Sequence, residues 1–323
     1  MHAHTDPREA VPAPRLAKWA WLSIAAAITT IALKSGAYLL TGSVGLLSDA
    51  MESVVNLVAA ALALFAIRVA SRPADDTHHF GHGKVEYFSA GAEGLMIVVA
   101  AALIVTSAVQ RLLNPQPLED LGIGLAITVL ATVINGVVGF LVLGAGRRHR
   151  SITLVADGKH LLTDVWTSIG VVVGVGVVAL TGWLALDSLV AIAVAINILW
   201  TGGVLVRHST RGLMDHALPQ PDVDLLVAAL QGVSGDYPPG EVSFHAVQTR
   251  ESGRERFVSM HVLVPGAWSV AAGHDLLERI EADVVSALPG THVHTHLEPK
   301  EDPRSYEEGT GGFVVDAGAT GIE

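Results

Sequence analysis

Six apolar segments, each about 20 residues or more, are the feature that most constrains this chain, because a stretch of that length crosses a bilayer as a helix. They run Ala17–Leu40, Val44–Ala70, Tyr87–Leu113, Leu118–Leu143, Thr153–Leu180 and Leu184–Val206. Half of the chain is hydrophobic and only 16% is charged, with a mean hydropathy of +0.48, which is too apolar for an ordinary soluble protein of 323 residues. The chain therefore reads as a multi-pass protein of the cell membrane. Short connectors "TGS", "NPQP" and "TGW" close three hairpins on one side and hold almost no Lys or Arg. The other side receives Arg15 and Lys18, Arg68, Arg72 and Lys84, Arg147, Arg148 and Arg150, and Arg207 and Arg211, which makes it the cytoplasmic side and puts both termini there. The polar, proline-broken start "MHAHTDPREAVPAPR" does not read as a cleaved signal. Gly91 with Gly94, and Gly170 with Gly174, are expected at close helix crossings.

After Pro219 the pattern becomes that of a small α+β domain. A helix over Asp222–Gln231, strands in "EVSFHAVQTR" and "ERFVSMHVLV" around the turn "ESGR", a helix over Ala271–Leu288 and a third strand in "THVHTHLE" give the order αββαβ, a ferredoxin-like layer. The expected division is a cytoplasmic tail over 1–15, a six-helix transmembrane domain over 16–208, a cytoplasmic domain over 209–302 and a disordered acidic tail over 303–323.

Acids inside the apolar runs need an explanation, since a charged side chain at the bilayer centre costs about 2.5–3.5 kcal/mol on insertion scales. In the second span Glu52 and Asn56 are four residues apart, and in the fifth His160 and Asp164 have the same spacing. Each pair shares one helix face and can point at the other. Together they offer two carboxylates, an imidazole and an amide oxygen, a donor set for a divalent cation. The bland alternative is a hydrogen-bond network that only ties helices together. Asp49 and Asp157 lie a turn away and either line the approaches or cap and hydrogen-bond.

The fifteen histidines stand out in a chain without cysteine, where any metal must be held by His, carboxylate, amide or backbone. "PADDTHHFGHGKVEYF" places Asp75, His78 and His82 within a few residues, with Gly81 and Gly83 allowing a tight turn. His79 and Asp76 are weaker candidates that can simply face solvent. In the α+β domain, a hairpin turning at Ser252 and Gly253 sets His245 across from His261, while His292, His294, His296 and Glu298 alternate onto one face of the last strand, with His274 offered by the intervening helix.

With those residues in view, the chain resembles the cation diffusion facilitator family of dimeric, proton-coupled exporters of divalent transition metals. The resemblance runs from about Leu16 to Pro299 and rests on "TGSVGLLSDAMESVVN", "PADDTHHFGHGKVE", "ADGKHLLTD" and "LMDHALP". It implies that Glu52, Asn56, His160 and Asp164 form the transport site and that Asp75, His78 and His82 form a loop site. It further implies that His245, His261, His274, His296 and Glu298 bind regulatory metal, and that Lys84 and Asp215 form a charge interlock helping to hold a homodimer. Bacterial zinc exporters of the family often carry Asp-x-x-x-Asp or His-x-x-x-Asp in the second span, where this chain has Glu52 and a neutral Asn56.

The expected function is proton-coupled export of divalent metal from the cytoplasm, with zinc first and iron or manganese next, and cobalt or cadmium as further transported or regulatory ions. The alternative is a membrane-anchored metal sensor worked by the His-rich domain. No hydrolase nucleophile arrangement and no His-Glu-x-x-His helix is present, so the chain does not read as an enzyme, and nothing suggests a nucleic-acid surface.

Overall fold

The structure is a computed structural model and describes residues 13–41, 44–114, 122–181, 185–306, 311–316 and 319–322. It divides at residues 213 and 214 into two compact units.

The first unit contains six long helices: α1 (Ala13–Thr41), α2 (Val44–Ala70), α3 (Val85–Leu113), α4 (Gly122–Arg148), α5 (Ile152–Thr181) and α6 (Ala185–Leu213). Five of them are long and apolar enough to cross a membrane over their described residues. In α5 the stretch described in full is the first half, which carries Asp157, Lys159 and Asp164. That charge content marks α5 as the helix whose polar groups need partners inside the bundle. Helix α6 runs to Leu213, five residues past the expected end of the transmembrane domain, because Arg207, His208 and Arg211 continue the helix rather than break it.

Helix α5 is the common wall of two apolar clusters. One face joins Leu154 and Leu161 to Leu16 and Ile24 of α1, Leu64 and Ile67 of α2 and Val142 of α4. The other joins Ile152 and Ala156 to Tyr87, Ala90 and Ile97 of α3 and to Ile198 and Leu205 of α6. Two close approaches set the geometry. A Cβ built on Gly158 would lie 2.6 Å from the Leu143 backbone nitrogen, so α5 presses directly on the α4 main chain. A Cβ on Gly94 would lie 3.1 Å from the Val206 nitrogen, the close α3–α6 crossing expected from that glycine, while Gly174 lies on α5 with its surroundings outside what the structure describes.

The second unit is a sheet with a helical layer: α7 (Gln220–Gly235), β1 (Ser243–Ser252), β2 (Glu255–Val264), α8 (Val270–Ala287) and β3 (Thr291–Pro299), in the expected order. Helix α8 starts where the Ser269 hydroxyl accepts from the Ala272 N–H at 3.1 Å, and it buries Leu276, Ile280 and Val284 at helical spacing. These meet Leu226 and Leu230 of α7 and Val258, Met260 and Val262 of β2. Because strand side chains alternate, His261 faces away from this core.

The tail departs from the expectation of disorder. Strands β4 (Phe313–Asp316) and β5 (Ala319–Ile322) extend the sheet to the order β3-β2-β1-β4-β5. The apolar run "FVV" supplies the reason: Val315 is fully buried opposite Phe244, and that burial outweighs the glycine-rich composition around it.

Candidate metal centres

Within the helical unit, α2 and α5 bring together three of the four residues expected to meet. Asn56 is 3% exposed and His160 5% exposed, so their polar atoms must be satisfied inside the bundle. The Asn56 amide nitrogen donates to Asp164 Oδ2, and the Asn56 oxygen lies 2.8 Å from His160 Nε2. A carboxylate only accepts, so the amide turns its NH₂ to Asp164 and its oxygen to the imidazole, and His160 Nε2 must then carry the proton. The helix spacing delivers this arrangement: Asp164 is one turn beyond His160, and both look at one amide on α2. Glu52 and Asp49 lie on α2, but their side chains are outside the described residues. Asp157 accepts from the Ser23 hydroxyl of α1 at 2.9 Å, the hydrogen-bonding role left open for it.

The loop after α2 closes on itself around Asp75. An isolated bridge pairs Asp75 with His78, and Gly81 takes φ 76 as its N–H reaches the His78 carbonyl at 2.9 Å. Asp75 Oδ1 accepts from the Thr77 hydroxyl at 2.7 Å, the Thr77 N–H at 2.9 Å and the His78 N–H at 2.8 Å. These donors, those of Thr77 foremost, hold the Asp75 carboxyl far below its ordinary value, so it stays an anion. Its other oxygen lies 3.4 Å from His82 Nε2, and His78 Nδ1 lies 3.4 Å from Oδ1. One donor atom from each of Asp75, His78 and His82 falls within 4.8 Å of the others, a spacing that can close on one ion. His79 and Asp76 are exposed and outside this group.

In the α+β unit the expected pairing of His245 with His261 is present, and its cause is a β-bulge. Near the turn, Ser252 pairs with Glu255 and Gln248 with Ser259; continued without interruption, that register would set His245 opposite Val262. A shift between His245 and Gln248, where Ala246 takes φ 49, moves His245 opposite His261. The parallel pairing of β2 with β3 sets His296 beside His261, so three imidazoles line up across three strands. Glu298 sits among them: Oε2 lies 2.9 Å from His245 Nε2 and 3.3 Å from His261 Nδ1, and Oε1 lies 3.5 Å from His296 Nε2.

His245, His261 and Glu298 have ligand atoms within 4.8 Å of one another, while His296 stands at the exposed edge. His274 does not join them within one chain. It lies on α8, in the layer packed against the opposite face of the sheet, and pairs with Glu278 at 3.9 Å. His292 stacks on Phe257 at 4.8 Å and approaches Glu255 at 3.7 Å, and His294 is exposed. Asp215, at φ 54, accepts from Arg250 at 3.1 Å within its own unit, and Lys84 precedes the first residue of α3.

Sequence reasoning passed over two buried acids on α3. Glu86 accepts from the Ser151 hydroxyl at 2.6 Å, tying the start of α3 to the start of α5, and Glu93 is fully buried two turns further on. Neither has an ionisable residue four positions away on its own helix, so the spacing that exposed the α2 and α5 pairs was silent here.

Residues 20–214 match the family described as cation efflux transmembrane domain, and residues 224–300 match the cation efflux protein, cytoplasmic domain. The chain belongs to the cation efflux, or cation diffusion facilitator, family. An uncharacterized transporter of Synechocystis sp. is 51% identical over 91% of this chain and 94% of its own length. The cation-efflux pump FieF of Salmonella arizonae is 29% identical over 85% of this chain and 90% of the pump. A solved structure of CzrB in its zinc form is 28% identical, covering 27% of this chain and 96% of that one, with a TM-score of 0.25. This cation efflux protein is thus a multi-pass membrane transporter of divalent metal cations rather than an enzyme, and its second domain, of a type labelled for dimerisation, supports a homodimer.

Proposed function

We propose that this cation efflux protein exports zinc from the cytoplasm in exchange for protons, with iron or manganese next in preference and both termini on the cytoplasmic side. The observation that carries the reading is the buried contact of Asn56 with both His160 and Asp164. Glu52, one turn before Asn56 on α2, supplies the second carboxylate in this proposal, so Glu52 and Asp164 balance a divalent charge while His160 favours a borderline-soft metal. FieF is named as a cation-efflux pump, which supports metal export.

The hydrogen-bond pattern supports this proposal of proton coupling. A metal ligand must be a bare nitrogen, so metal entering at His160 Nε2 moves the proton of a neutral imidazole to Nδ1 and releases one proton from a doubly protonated imidazolium. Asp75, His78 and His82 are proposed as a loop site beside the route. His245, His261, His296 and Glu298 are proposed as a regulatory site that senses cytoplasmic metal. Lys84 and Asp215 are proposed as the charge interlock of the homodimer. His274 retains a regulatory role in this proposal only if a second copy of the chain supplies it.

The deciding test is zinc uptake by purified protein in proteoliposomes, with and without a proton gradient. His160→Ala and Asp164→Ala should each abolish uptake while the protein stays folded and dimeric. Wild-type rates from either folded variant would return the three residues to a structural network.

A further inference from the structure

The mechanism above uses no group on α3, yet α3 places a fully buried acid beside the transport helix. Glu93 is 0% exposed, and neither of its carboxylate oxygens has a hydrogen-bond partner among the described residues. Ser89, one turn earlier on α3, is also buried, and its hydroxyl is the neutral group that bears on Glu93. The direction in which Glu93 points is fixed by Glu86. That residue is hydrogen-bonded through its side chain to Ser151 at 2.6 Å and through its carbonyl to the Thr153 hydroxyl at 3.3 Å, so it faces the start of α5. Seven residues make close to two helical turns, so Glu93 repeats the face of Glu86 and looks at α5 about 10 Å further along.

Counting the same seven residues from Ser151 reaches Gly158, between Asp157 and His160. Asp157 is 1% exposed, and its Oδ2 is likewise without a partner, the other oxygen being held by Ser23. Of the charged groups on the helices packed against α3, Asp157 acts on Glu93, and Ser23 on α1 is the neutral donor that faces Asp157. The described basic groups of the helices packed against α3 are Arg68 on α2, Lys159 on α5, and Arg207 and Arg211 on α6. Two buried carboxyl groups that act on each other, with a single serine hydroxyl facing each, do not both persist as anions, because a buried charge without a counter-charge or a full set of hydrogen bonds is prohibitively costly.

We propose that Glu93 and Asp157 form a proton-binding site one helical turn from the metal residues, and that the proton held there leaves when metal binds at His160 and Asp164. The inference rests on the exchange reading given above and deepens it. Metal loading brings two positive charges to within a turn of Asp157 on the same helix, which lowers the free energy of the carboxylate there and releases the proton, while the returning proton favours release of metal. A second proton-carrying group also frees the stoichiometry from what His160 alone can supply.

Two measurements test it on the full-length protein. The infrared carbonyl stretch of a protonated carboxyl group, recorded at neutral pH without metal, should be present in the wild type, diminish on zinc addition and be lost in Glu93→Gln or in Asp157→Asn. Proton release on zinc binding, followed with a pH dye in weak buffer, should fall in Glu93→Gln by about one proton per zinc bound. Glutamine has the shape of a neutral glutamic acid, so Glu93→Gln should fold as the wild type does. An infrared band absent from the wild type, or unchanged in both variants, overturns the site. Unchanged proton release in Glu93→Gln overturns its part in exchange. If the wild type transports zinc and releases no proton at all, proton coupling itself fails and this role falls with it, while the infrared band still reports whether the pair holds a proton. A Glu93→Gln protein that fails to fold, beside an Asp157→Asn protein that folds and keeps the wild-type band, also counts against the pair.

Discussion

Asn56 stands between His160 and Asp164 and has one oxygen to offer a metal. That oxygen suits harder ions as well as zinc, so the residue bears on selectivity. In Asn56→Asp two carboxylates face each other, and one must take a proton or a cation. Zinc transport should persist, iron or manganese transport should fall relative to zinc, and the pH dependence of exchange should shift. Competitive uptake of the three metals across a pH series checks this; an unchanged ranking and an unchanged profile would remove Asn56 as a ligand. The loop site makes a different prediction. The Thr77 donors keep Asp75 ionised well below its ordinary 3.8, so acid lowers metal binding there only through the imidazoles. For a depressed carboxyl the ionised form is present above the ordinary value and lost only as pH falls through the lowered one. Thr77→Val removes the hydroxyl donor, brings that loss to higher pH and should make loop binding more acid-sensitive, as read by zinc titration at pH steps down to about 4. Asp75→Ala should weaken transport without abolishing it, since a loop is not the route across the bilayer.

At the scale of elements, the spacing of four residues was enough to foresee that Asn56 on α2 meets His160 and Asp164 on α5, because helix periodicity is rigid and a polar face inside an apolar run has few places to go. The six helices and the αββαβ order were legible for the same reason. What escaped had no local signal. Glu93 is a lone acid whose partner lies on another helix. The bulge at Ala246 corrects a register that hairpin counting placed one residue off near the turn. His274 sits on the helical side of the sheet, a matter of layering rather than of sequence distance. Gly158 was equally silent, although it sets how close α5 lies to α4. A methyl group at Gly158 meets the Leu143 main chain at 2.6 Å, and backbone cannot step aside as a side-chain tip can. Gly158→Ala should therefore cost about 1–3 kcal/mol and lower zinc uptake by displacing the neighbouring His160. Thermal unfolding in detergent and uptake by the same preparation would check both effects; a variant with wild-type stability and uptake would show that the α4–α5 contact yields.

At the scale of the whole molecule, the division at residues 213 and 214 leaves the second unit with a core of its own, from Leu226 on α7 through Met260 on β2 to Val315 on β4. A fragment spanning 214–323 should therefore fold without the helices, and its stability should report its metal site directly. Ligands that bind only the folded state add free energy by mass action, about 2.7 kcal/mol at one hundred times Kd, which for a domain of this size raises Tm by roughly 10–20 °C. His245, His261 and Glu298 come from three strands, so an ion held by all three ties β1, β2 and β3 together and must be lost on unfolding. Zinc should raise Tm at neutral pH, and the rise should vanish in His261→Ala and shrink in His296→Ala, because His261 is central to the row and His296 stands at its exposed edge. His274→Ala separates two cases. If zinc stabilisation is lost on dilution of the wild type and is weakened by His274→Ala, the ion is shared with a second copy of the chain, which supplies the α8 imidazole that a single copy keeps on the far side of its sheet. If His274→Ala changes nothing at any concentration, the site is complete within one chain, and a metal response in the full-length dimer would have to arise from β1, β2 and β3 drawing together rather than from an ion bridging two copies.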